Sequence, residues 1–240
     1  MKPYYEHAGI TIFHGDCREV LKCLPVGRCG ACSVDLADES ILAIHLAAGH
    51  AVGPFCDLLL TDPPYGIGYA SNPIVGKGKA ASNHESMEWD EKPASDDLLG
   101  VCRAKCETQM IWGGNYFSLP PSRRWLVWHK PDAPPSMSRV ELAWTNMDSL
   151  AGIFHWSIAA TDGQRVGHCT QKPLELMNWC VSLAPDNVQT VLDPFAGSGT
   201  SLVSAKTLGK SAIGIEIEEK YCEIAAKRLS QEVFDFTGKP

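Results

Sequence analysis

The stretch "TVLDPFAGSGTSLVSAKTLGKSAIGIEI" (residues 190–217) contains a complete strand, turn, helix and strand. Its two apolar runs are continuous and rich in β-branched residues, as in strands that are buried on both faces. Between them, a glycine-rich turn leads into a helix that Gly209 closes. Two parallel strands joined by a helix are the unit of an α/β sheet, so this stretch predicts the fold class.

Strand and helix patterns alternate along the rest of the chain. Short apolar runs typical of buried strands occur at "GITIFH" (9–14), "DLLL" (57–60) and "QMIW" (109–112). Three further strand-like runs follow: "RWLVWHK", "VELAWTN" and "GIFHWSI". With 240 residues, of which 45% are apolar, the chain can form one large core. We therefore predict one α/β domain over residues 1–240, with a doubly wound and mostly parallel sheet.

Composition limits the cellular setting and the partners. The net charge of −7 argues against a strongly basic nucleic-acid-binding surface, although a local basic face is compatible with it. No apolar run reaches the roughly 18 residues that a membrane helix needs. The N-terminus "MKPYYEHAGI" lacks the apolar core of a signal peptide. We therefore expect reduced cysteines, no membrane partner and a cytoplasmic location.

The glycine-rich turn has the features of a nucleoside-cofactor site. Gly197 and Gly199 let the backbone approach a ligand closely, and the helix that follows offers free N–H groups. Glu216 ends the next strand, 17 residues after Gly199, where an acid can hold ribose hydroxyls. The turn lacks the lysine of a P-loop, and Asp193 and Phe195 suit a cationic sulfonium better than a pyrophosphate. A Gly-x-Gly pattern alone would indicate only an ordinary turn.

The run "LLLTDPPYGIGYA" (58–70) ends a second buried strand on an acid. Asp62 is followed by Pro63 and Pro64, whose rings fix two φ angles, and by the aromatic Tyr65. In a parallel sheet, the carboxyl end of this strand and that of the strand before the glycine-rich turn can flank one crevice. In isolation, the pattern is equally well explained as a rigid turn with a capping acid.

Together these segments resemble the amino-methylating DNA methyltransferases, in the permuted motif order called the β group. "TDPPYGIG" resembles the catalytic motif of that family, and "DPFAGSGTS" resembles its motif for S-adenosylmethionine (AdoMet). "HCTQKPLEL" resembles the segment before the AdoMet motif, with Cys169 where a proline is usual. "HGDCREVLKCLP" resembles the strand whose acid lies near the cofactor adenine. The similarity covers most of the chain and implies a circularly permuted, Rossmann-like methyltransferase fold.

The resemblance also implies roles for individual residues. Asp62 and the Pro63 carbonyl would accept the two hydrogens of an exocyclic amine, which draws the nitrogen toward sp³ geometry and aims its lone pair at the methyl group. Pro64 would keep these acceptors rigid, and Tyr65 would offer a flat face to a base turned out of the duplex. The residues implied to bind AdoMet are Asp16, Lys172, Asp193, Phe195, Gly197, Gly199, Thr200 and Glu216.

The same resemblance implies site-specific methylation of double-stranded DNA. Asp rather than Ser at position 62 favours adenine N6 over cytosine N4 as the target. Three alternatives stay open: cytosine N4, an amide or amine of protein or RNA, and a DNA-binding module without activity. The short chain leaves no room for a restriction nuclease, which favours a stand-alone enzyme of phage or prophage type in a bacterial cytoplasm. An exposed strand edge or the insertion described below offers a contact for a possible homodimer.

Target recognition is expected within residues 66–168, where the family places its variable elements. Basic side chains of this region are candidates for contacts with phosphates or bases, although each one alone is more simply a solvated surface charge. The candidates are Lys77, Lys79, Arg123, Arg124, Lys130 and Arg139.

The segment 24–57 has the spacing of a Cys2His2 zinc site, at a place where the family usually has a short connection. Two residues separate Cys29 from Cys32, twelve separate Cys32 from His45, and four separate His45 from His50. We predict that these four side chains bind zinc. The alternative is coincidence in a cysteine-rich chain, with histidines satisfied in a core. Alternative ligands nearby are Cys23 and Cys56.

Overall fold

The structure is a computed structural model that describes residues 1–29, 31–32, 34–67, 92–163, 165–166 and 170–231. Its strands are β1 (Tyr5–His7), β2 (Ile10–His14), β3 (Gly27–Cys29), β4 (Asp35–Leu36), β5 (Val52–Gly53), β6 (Cys56–Thr61), β7 (Cys106–Trp112), β8 (Trp125–His129), β9 (Val140–Thr145), β10 (Gly152–His155), β11 (Thr190–Asp193) and β12 (Ser211–Glu216). Its helices are α1 (Cys17–Cys23), α2 (Glu39–Ala47), α3 (Asp96–Ala104), α4 (Ile158–Asp162), α5 (Leu174–Ser182), α6 (Thr200–Thr207) and α7 (Glu219–Ser230). Within the described ranges, none of these helices is long and apolar enough to cross a bilayer.

Nine strands form the main sheet, in the order β1-β2-β12-β11-β6-β7-β9-β8-β10. The five strands from β2 to β7 in this order are mutually parallel. Strand β9 pairs antiparallel with β7 and β8, and β1 pairs antiparallel with β2. The sheet is therefore mostly parallel, as predicted. The short edge strand β1 was not predicted, because its three residues carry no apolar pattern.

Helices cover both faces of this sheet. Along β6, Leu58 and Leu60 point into one core and Leu59 into the other, because successive side chains of a strand alternate between its faces. The first core packs against apolar side chains of α5, α6 and α7, and the second packs against α1 and α3. This two-sided packing confirms the predicted doubly wound α/β class, and it explains why the central strands are continuous apolar runs.

The neighbouring strands β6 and β11 are tied together at both ends. At their start, the Asp57 carboxylate accepts hydrogen bonds from the Thr190 N–H and hydroxyl, each at 2.8 Å. At their carboxyl ends, the Thr61 hydroxyl donates to Asp193 Oδ1 at 2.7 Å. The chain continues from β11 to β12 on one side of this pair and from β6 to β7 on the other. Ligands of open α/β sheets bind at such a switch point, outside the carboxyl ends of the strands.

Residues 27–53 form a small second unit, named here the Cys/His module. In it, β3 pairs antiparallel with both β4 and β5, and α2 connects β4 to β5. The predicted bounds of 24–57 are too wide, since Leu24 belongs to a core of the main sheet and Cys56 begins β6. Lys105 Nζ donates to the Leu24 carbonyl at 3.2 Å and holds the chain where it enters the module.

The run "GIFHWSI" is a strand only as far as His155. Ser157 then caps the short helix α4, and its hydroxyl accepts a hydrogen bond from the Ala160 N–H at 3.3 Å. The Asp132 carboxylate accepts a second bond, from the Ile158 N–H at 2.8 Å. These two caps satisfy the first N–H groups of a helix, so the chain leaves the sheet earlier than the apolar pattern predicts.

Candidate active site

Two cavities open at the carboxyl ends of β6 and β11. The first has a volume of about 310 Å³ and lies over the glycine-rich turn. The second has a volume of about 430 Å³ and lies between the turn after β6 and strands β8 and β9. Both volumes are in the range of small-molecule sites. The residues that line both cavities, and so form the wall between them, are Asp62, Pro64, Thr170, Gln171 and Lys172.

Glu216 holds its carboxylate at the first cavity. Its Oε2 accepts a hydrogen bond from the Gly197 N–H at 2.7 Å, and its Oε1 accepts one from the Glu218 N–H at 2.8 Å. These donors leave lone pairs of the carboxylate available to a ligand. Burial raises the pKa of Glu216 to about 6, although the two N–H donors oppose the shift. Phe195 lines the same cavity.

Asp16 lies at the same edge of the sheet, on the solvent side of the first cavity. Strands β2 and β12 pair up to their ends, with Glu216 opposite His14. Asp16 then caps α1, and its Oδ1 accepts a hydrogen bond from the Arg18 N–H at 2.8 Å. Its side chain is 38% exposed. The structure thus brings Asp16 and Glu216 to one cavity, as the sequence predicts.

Asp193 is bound by its own surroundings. The hydroxyls of Thr61 and Ser201 donate to its two oxygens, and the Phe195 N–H donates to Oδ1 at 3.1 Å. The side chain is only 4% exposed, and burial raises its pKa to about 6 despite these hydrogen bonds. Asp193 therefore shapes the turn between β11 and α6, and it also lines the first cavity.

The glycines of the turn have different tasks. Gly197 has a φ of +51° and lines the first cavity, so its conformation and its N–H both serve the site. Gly199 has a φ of +76° but does not line the cavity. A Cβ at Gly199 would lie 2.7 Å from the Ala225 Cβ of α7, so glycine here permits helix packing. Thr200 lines the cavity, and its hydroxyl accepts a hydrogen bond from Arg228 at 3.0 Å.

Four charged side chains meet at the wall between the cavities. Lys172 Nζ lies 2.5 Å from Asp62 Oδ2 and 3.2 Å from Glu141 Oε2. Lys130 Nζ lies 2.6 Å from the other oxygen of Glu141. Both lysines are nearly inaccessible to solvent, at 5% and 6% exposure. The four formal charges cancel, which is the condition under which charges can be buried together.

The pKa shifts in this cluster follow from burial and from the opposite charges. Burial raises the pKa of Asp62, and the nearby Lys172 offsets only part of that effect. Burial acts to lower the pKa of Lys172, but Asp62 and Glu141 outweigh it and raise that pKa. Burial acts to raise the pKa of Glu141, but the two lysines outweigh it and lower that pKa. Lys172, predicted as a cofactor ligand, therefore serves first as the counter-ion of two acids.

Tyr65 contacts Asp62 and Tyr116 at the second cavity. Its hydroxyl donates to Asp62 Oδ1, and its ring stacks on Tyr116 with 5.0 Å between ring centroids. The Tyr65 ring also lies so close to Gly113 that no Cβ would fit there. Tyr65 is half-buried and lines the second cavity, so its role as a flat face for a base stays a prediction. Tyr116, which is 50% exposed and lines the second cavity, presents the accessible ring.

The two prolines after Asp62 differ in whether their carbonyl groups accept a hydrogen bond. The Pro64 carbonyl accepts a hydrogen bond from the Ala94 N–H at 3.0 Å. The Pro63 carbonyl accepts none from the described part of the chain. Pro63 lines the second cavity beside Asp62. Of the two carbonyls, that of Pro63 is thus the one available to a ligand.

Sequence patterns do not predict every residue of the site. No pattern indicates Tyr116, whereas the acid Glu141 within the apolar run "VELAWT" is a signal that could have been used. Lys130, a predicted candidate for contacts with phosphates or bases, is buried, paired with Glu141 and part of the lining of the second cavity. Arg123 forms an ion pair with Asp148 at 3.1 Å on the surface. Predicted residues that lie outside the described ranges are Lys77, Lys79 and Cys169.

The predicted zinc ligands come together in the Cys/His module. Ligand atoms of Cys29, Cys32, His45 and His50 all lie within 4.8 Å of one another. Burial acts to raise the pKa of the Cys29 thiol, but hydrogen bonds, chiefly from Cys32, lower that pKa to about 6. The suggested alternative ligands do not join this cluster, since Cys56 lies in the main core.

Comparison with known proteins relates this chain to bacterial DNA-modifying enzymes. A family model described as DNA methylase matches residues 107–227. The type II methyltransferase M2.MboI of Moraxella bovis is 38% identical over 222 aligned positions, which cover 73% of this chain and 81% of that protein. The type II methyltransferase M.HindIII of Haemophilus influenzae is 48% identical over 65 residues, or 27% of this chain. In M.HindIII and three other such relatives, the matched part spans only 21 to 24% of the relative's length.

Solved structures share the fold at low sequence identity. M1.HpyAVI, solved as a complex with SAM, has a TM-score of 0.53 and 19% identity, and the match covers 92% of this chain and all of that one. The PvuII DNA methyltransferase, which is cytosine-N4-specific, has a TM-score of 0.57 and 13% identity, with 96% of this chain and 90% of that one covered. At these identities the likeness concerns the fold.

Replacing Lys172 by methionine should strongly destabilise the protein. Asp62 and Glu141 would stay buried without the ammonium group they share, and breaking a buried ion pair costs about 3 to 5 kcal/mol. We expect the free energy of unfolding in urea to fall by about 3 kcal/mol for Lys172→Met. Lys227→Met removes the exposed pair with Glu223 and serves as the control, with no measurable change expected. Equal losses in the two variants would contradict the charge cluster.

The raised pKa of Asp193 should appear in the pH dependence of stability. Its pKa is about 6 in the fold and 3.8 ordinarily, so between these values the folded protein binds more protons than the unfolded chain. Its contribution to the free energy of unfolding therefore decreases as the pH rises from about 4 to about 6, and it is constant above. Wild type should gain stability relative to Asp193→Asn when urea unfolding is followed from about pH 7 down to about pH 4.5. A difference that is constant or runs the other way would show that the Asp193 pKa is not raised.

Proposed function

This chain belongs to the DNA methylase family, and from that premise we propose that it transfers a methyl group from AdoMet to an exocyclic amine of a base in double-stranded DNA. The observation that carries the proposal is the shared wall of the two cavities, which contains Asp62. A donor in the first cavity and an amine in the second would meet at this carboxylate. Such positioning is the main contribution a protein can make when the cofactor supplies the reactive group.

The first cavity fits AdoMet by its set of side chains. Glu216 offers a carboxylate for ribose hydroxyls, and Asp16 is an exposed acceptor for the amino group of adenine. Phe195 and the backbone at Gly197 form the adjoining wall. Bound AdoMet supplies a methyl group from its sulfonium. The electron pair of the broken S–C bond stays on sulfur. Lys172 is assigned here to holding Asp62, since its ammonium group already lies between two carboxylates.

Asp62 and the Pro63 carbonyl activate the amine in this proposal. The amine lone pair is delocalised into the base ring, so the nitrogen is a poor nucleophile until its hydrogens are held. Asp62 keeps unused lone pairs beside its bonds to Lys172 and Tyr65, and the Pro63 carbonyl is available. The nitrogen forms the new N–C bond with its lone pair as the S–C bond breaks, and one of its two protons then passes to the Asp62 carboxylate that accepts its N–H group. Between bond formation and proton loss, a positive charge develops on the nitrogen, and the fixed acceptors stabilise it.

The second cavity is the proposed pocket for a base turned out of the duplex. Its volume of about 430 Å³ and its lining by Tyr116 and Trp128 suit a flat aromatic ring. Tyr65 holds Asp62 from the same side. We assign target recognition to residues 66–168, of which the structure describes 66–67, 92–163 and 165–166.

Adenine N6 is the proposed target atom. Support comes from Asp62, since the family resemblance associates Asp at this position with adenine and Ser with cytosine. Cytosine N4 stays the first alternative, because the same acceptors polarise any planar amino group. An amide or amine of protein or RNA is the second. A bacterial or phage-infected cytoplasm is the proposed location, and a homodimer remains a prediction.

Tritiated AdoMet and unmethylated double-stranded DNA test the proposal directly. After incubation, the DNA is digested to nucleosides and the label is assigned by chromatography. We expect the label in N6-methyladenine. Label in N4-methylcytosine would identify cytosine N4 as the target. Label in protein or RNA would reject DNA as the substrate. DNA binding without any transfer would reject an enzymatic function.

Asp62→Ala should retain AdoMet binding and lose methyl transfer. Removal of one preorganised group at a reaction centre typically costs about 100- to 1000-fold in rate. The variant should be less stable, because Lys172 loses one of its two acids, but Glu141 still pairs with Lys172. In the folded variant, AdoMet affinity by calorimetry and the circular dichroism spectrum should stay close to those of wild type, because Glu216 and the glycine-rich turn are unchanged. Glu223→Ala, which removes an exposed acid of α7 outside residues 66–168, is the control and should turn over normally. Wild-type turnover by Asp62→Ala would refute the role given to this carboxylate.

A further inference from the structure

Four potential metal ligands converge in the Cys/His module, away from both cavities. Cys29 Sγ lies 3.4 Å from His50 Nδ1, and Cys32 Sγ lies 3.9 Å from His45 Nδ1. The two histidine Nδ1 atoms are 3.2 Å apart. None of the four residues lines either cavity. The cluster therefore needs an explanation that the proposed methyl transfer does not provide.

The separations match the edges of a tetrahedron around one zinc ion. Bonds of about 2.3 Å to sulfur and about 2.0 to 2.1 Å to nitrogen place two nitrogens about 3.3 Å apart, and a sulfur and a nitrogen about 3.6 Å apart. The observed distances are close to these edge lengths. They are 3.2 Å between the two nitrogens, and 3.4 and 3.9 Å between sulfur and nitrogen. A hydrogen bond between the two imidazoles would account for one separation, but not for the convergence of four ligand atoms.

The backbone delivers the four ligands from separate elements. Cys29 ends β3, and Cys32 lies in the turn before β4. His45 lies in the last turn of α2. Gly49, with a φ of +73°, then reverses the chain, and the His50 N–H donates to the His45 carbonyl at 3.0 Å. This reversal brings both imidazoles to the same side as the cysteines.

The module has too little apolar core to be held together by packing. Among its described residues, only Gly27, Cys29 and Leu36 are buried, and α2 buries none of its nine residues. Its strands are two or three residues long. Units of this size usually need a disulfide or a metal to stay folded. The described cysteines of the module are free, so a metal is the remaining type of crosslink.

We propose that Cys29, Cys32, His45 and His50 bind one Zn²⁺ ion that stabilises the Cys/His module. Thiolate and imidazole ligands together favour zinc over Mg²⁺ or Ca²⁺, which prefer oxygen. Four protein ligands fill the tetrahedral coordination and leave no open position, so the ion has a structural role. Binding also couples to folding, because the ligands come together only when the module is folded.

The proposal is tested on the full chain, produced without a histidine tag and purified without chelator. We expect about one zinc per chain by mass spectrometry of the metal, and a background level for Cys29→Ser combined with Cys32→Ser. Cys23→Ser is the matched control, because Cys23 is an exposed free cysteine of α1 outside the cluster. It should keep the full zinc content. Wild-type protein with far less than one zinc per chain, or a double variant that keeps its zinc, would overturn the proposal.

A measurement on wild type alone covers the case in which the double variant fails to fold. The zinc is removed with a chelator and replaced by Co²⁺. We expect the visible absorption bands of tetrahedral Co²⁺ together with sulfur-to-cobalt charge transfer, and a melting temperature that falls on chelation and recovers on metal addition. A spectrum of octahedral, oxygen-bound Co²⁺ would contradict the site. A melting temperature that the chelator does not change would also contradict it.

Discussion

The parallel pairing of β6 with β11 is the constraint on which the rest of the site depends. Asp62 and Asp193 are 131 residues apart in the sequence. Strand pairing and the hydrogen bond from Thr61 to Asp193 nevertheless place the two strand ends side by side. The chain continues from β6 to β7 on one side of this pair and from β11 to β12 on the other, which makes the crevice between them a switch point. Both cavities open there, and Asp62 lies in the wall that separates them.

Charge balance explains how this wall holds ionised acids away from water. Asp62 and Glu141 share Lys172, and Lys130 completes a group without net charge. Each charge buried alone would cost several kcal/mol, so the four side chains depend on one another. The same surroundings strengthen the interaction of Asp62 with any positive charge that develops beside it. Stability and reactivity thus rest on one cluster.

The fold and part of the site follow from local patterns, whereas the partners across the sheet do not. Continuous apolar runs predict the central strands, and Gly209 marks the end of α6 where the structure has it. The likeness to solved methyltransferases confirms the predicted fold class, and the circular permutation remains a prediction. Lys130 and Glu141 meet only because β8 and β9 pair in one register, and Lys172 reaches the site from a distant loop. Register between strands joined by long connections has no local sequence signal.

A crystal structure of the chain with AdoMet bound tests the central claim most directly. The adenosine should lie over the glycine-rich turn, with its ribose hydroxyls within hydrogen-bond distance of Glu216. The methyl group should point through the wall between the cavities, toward Asp62. Cofactor bound in the second cavity, or a methyl group directed away from Asp62, would contradict the arrangement proposed here.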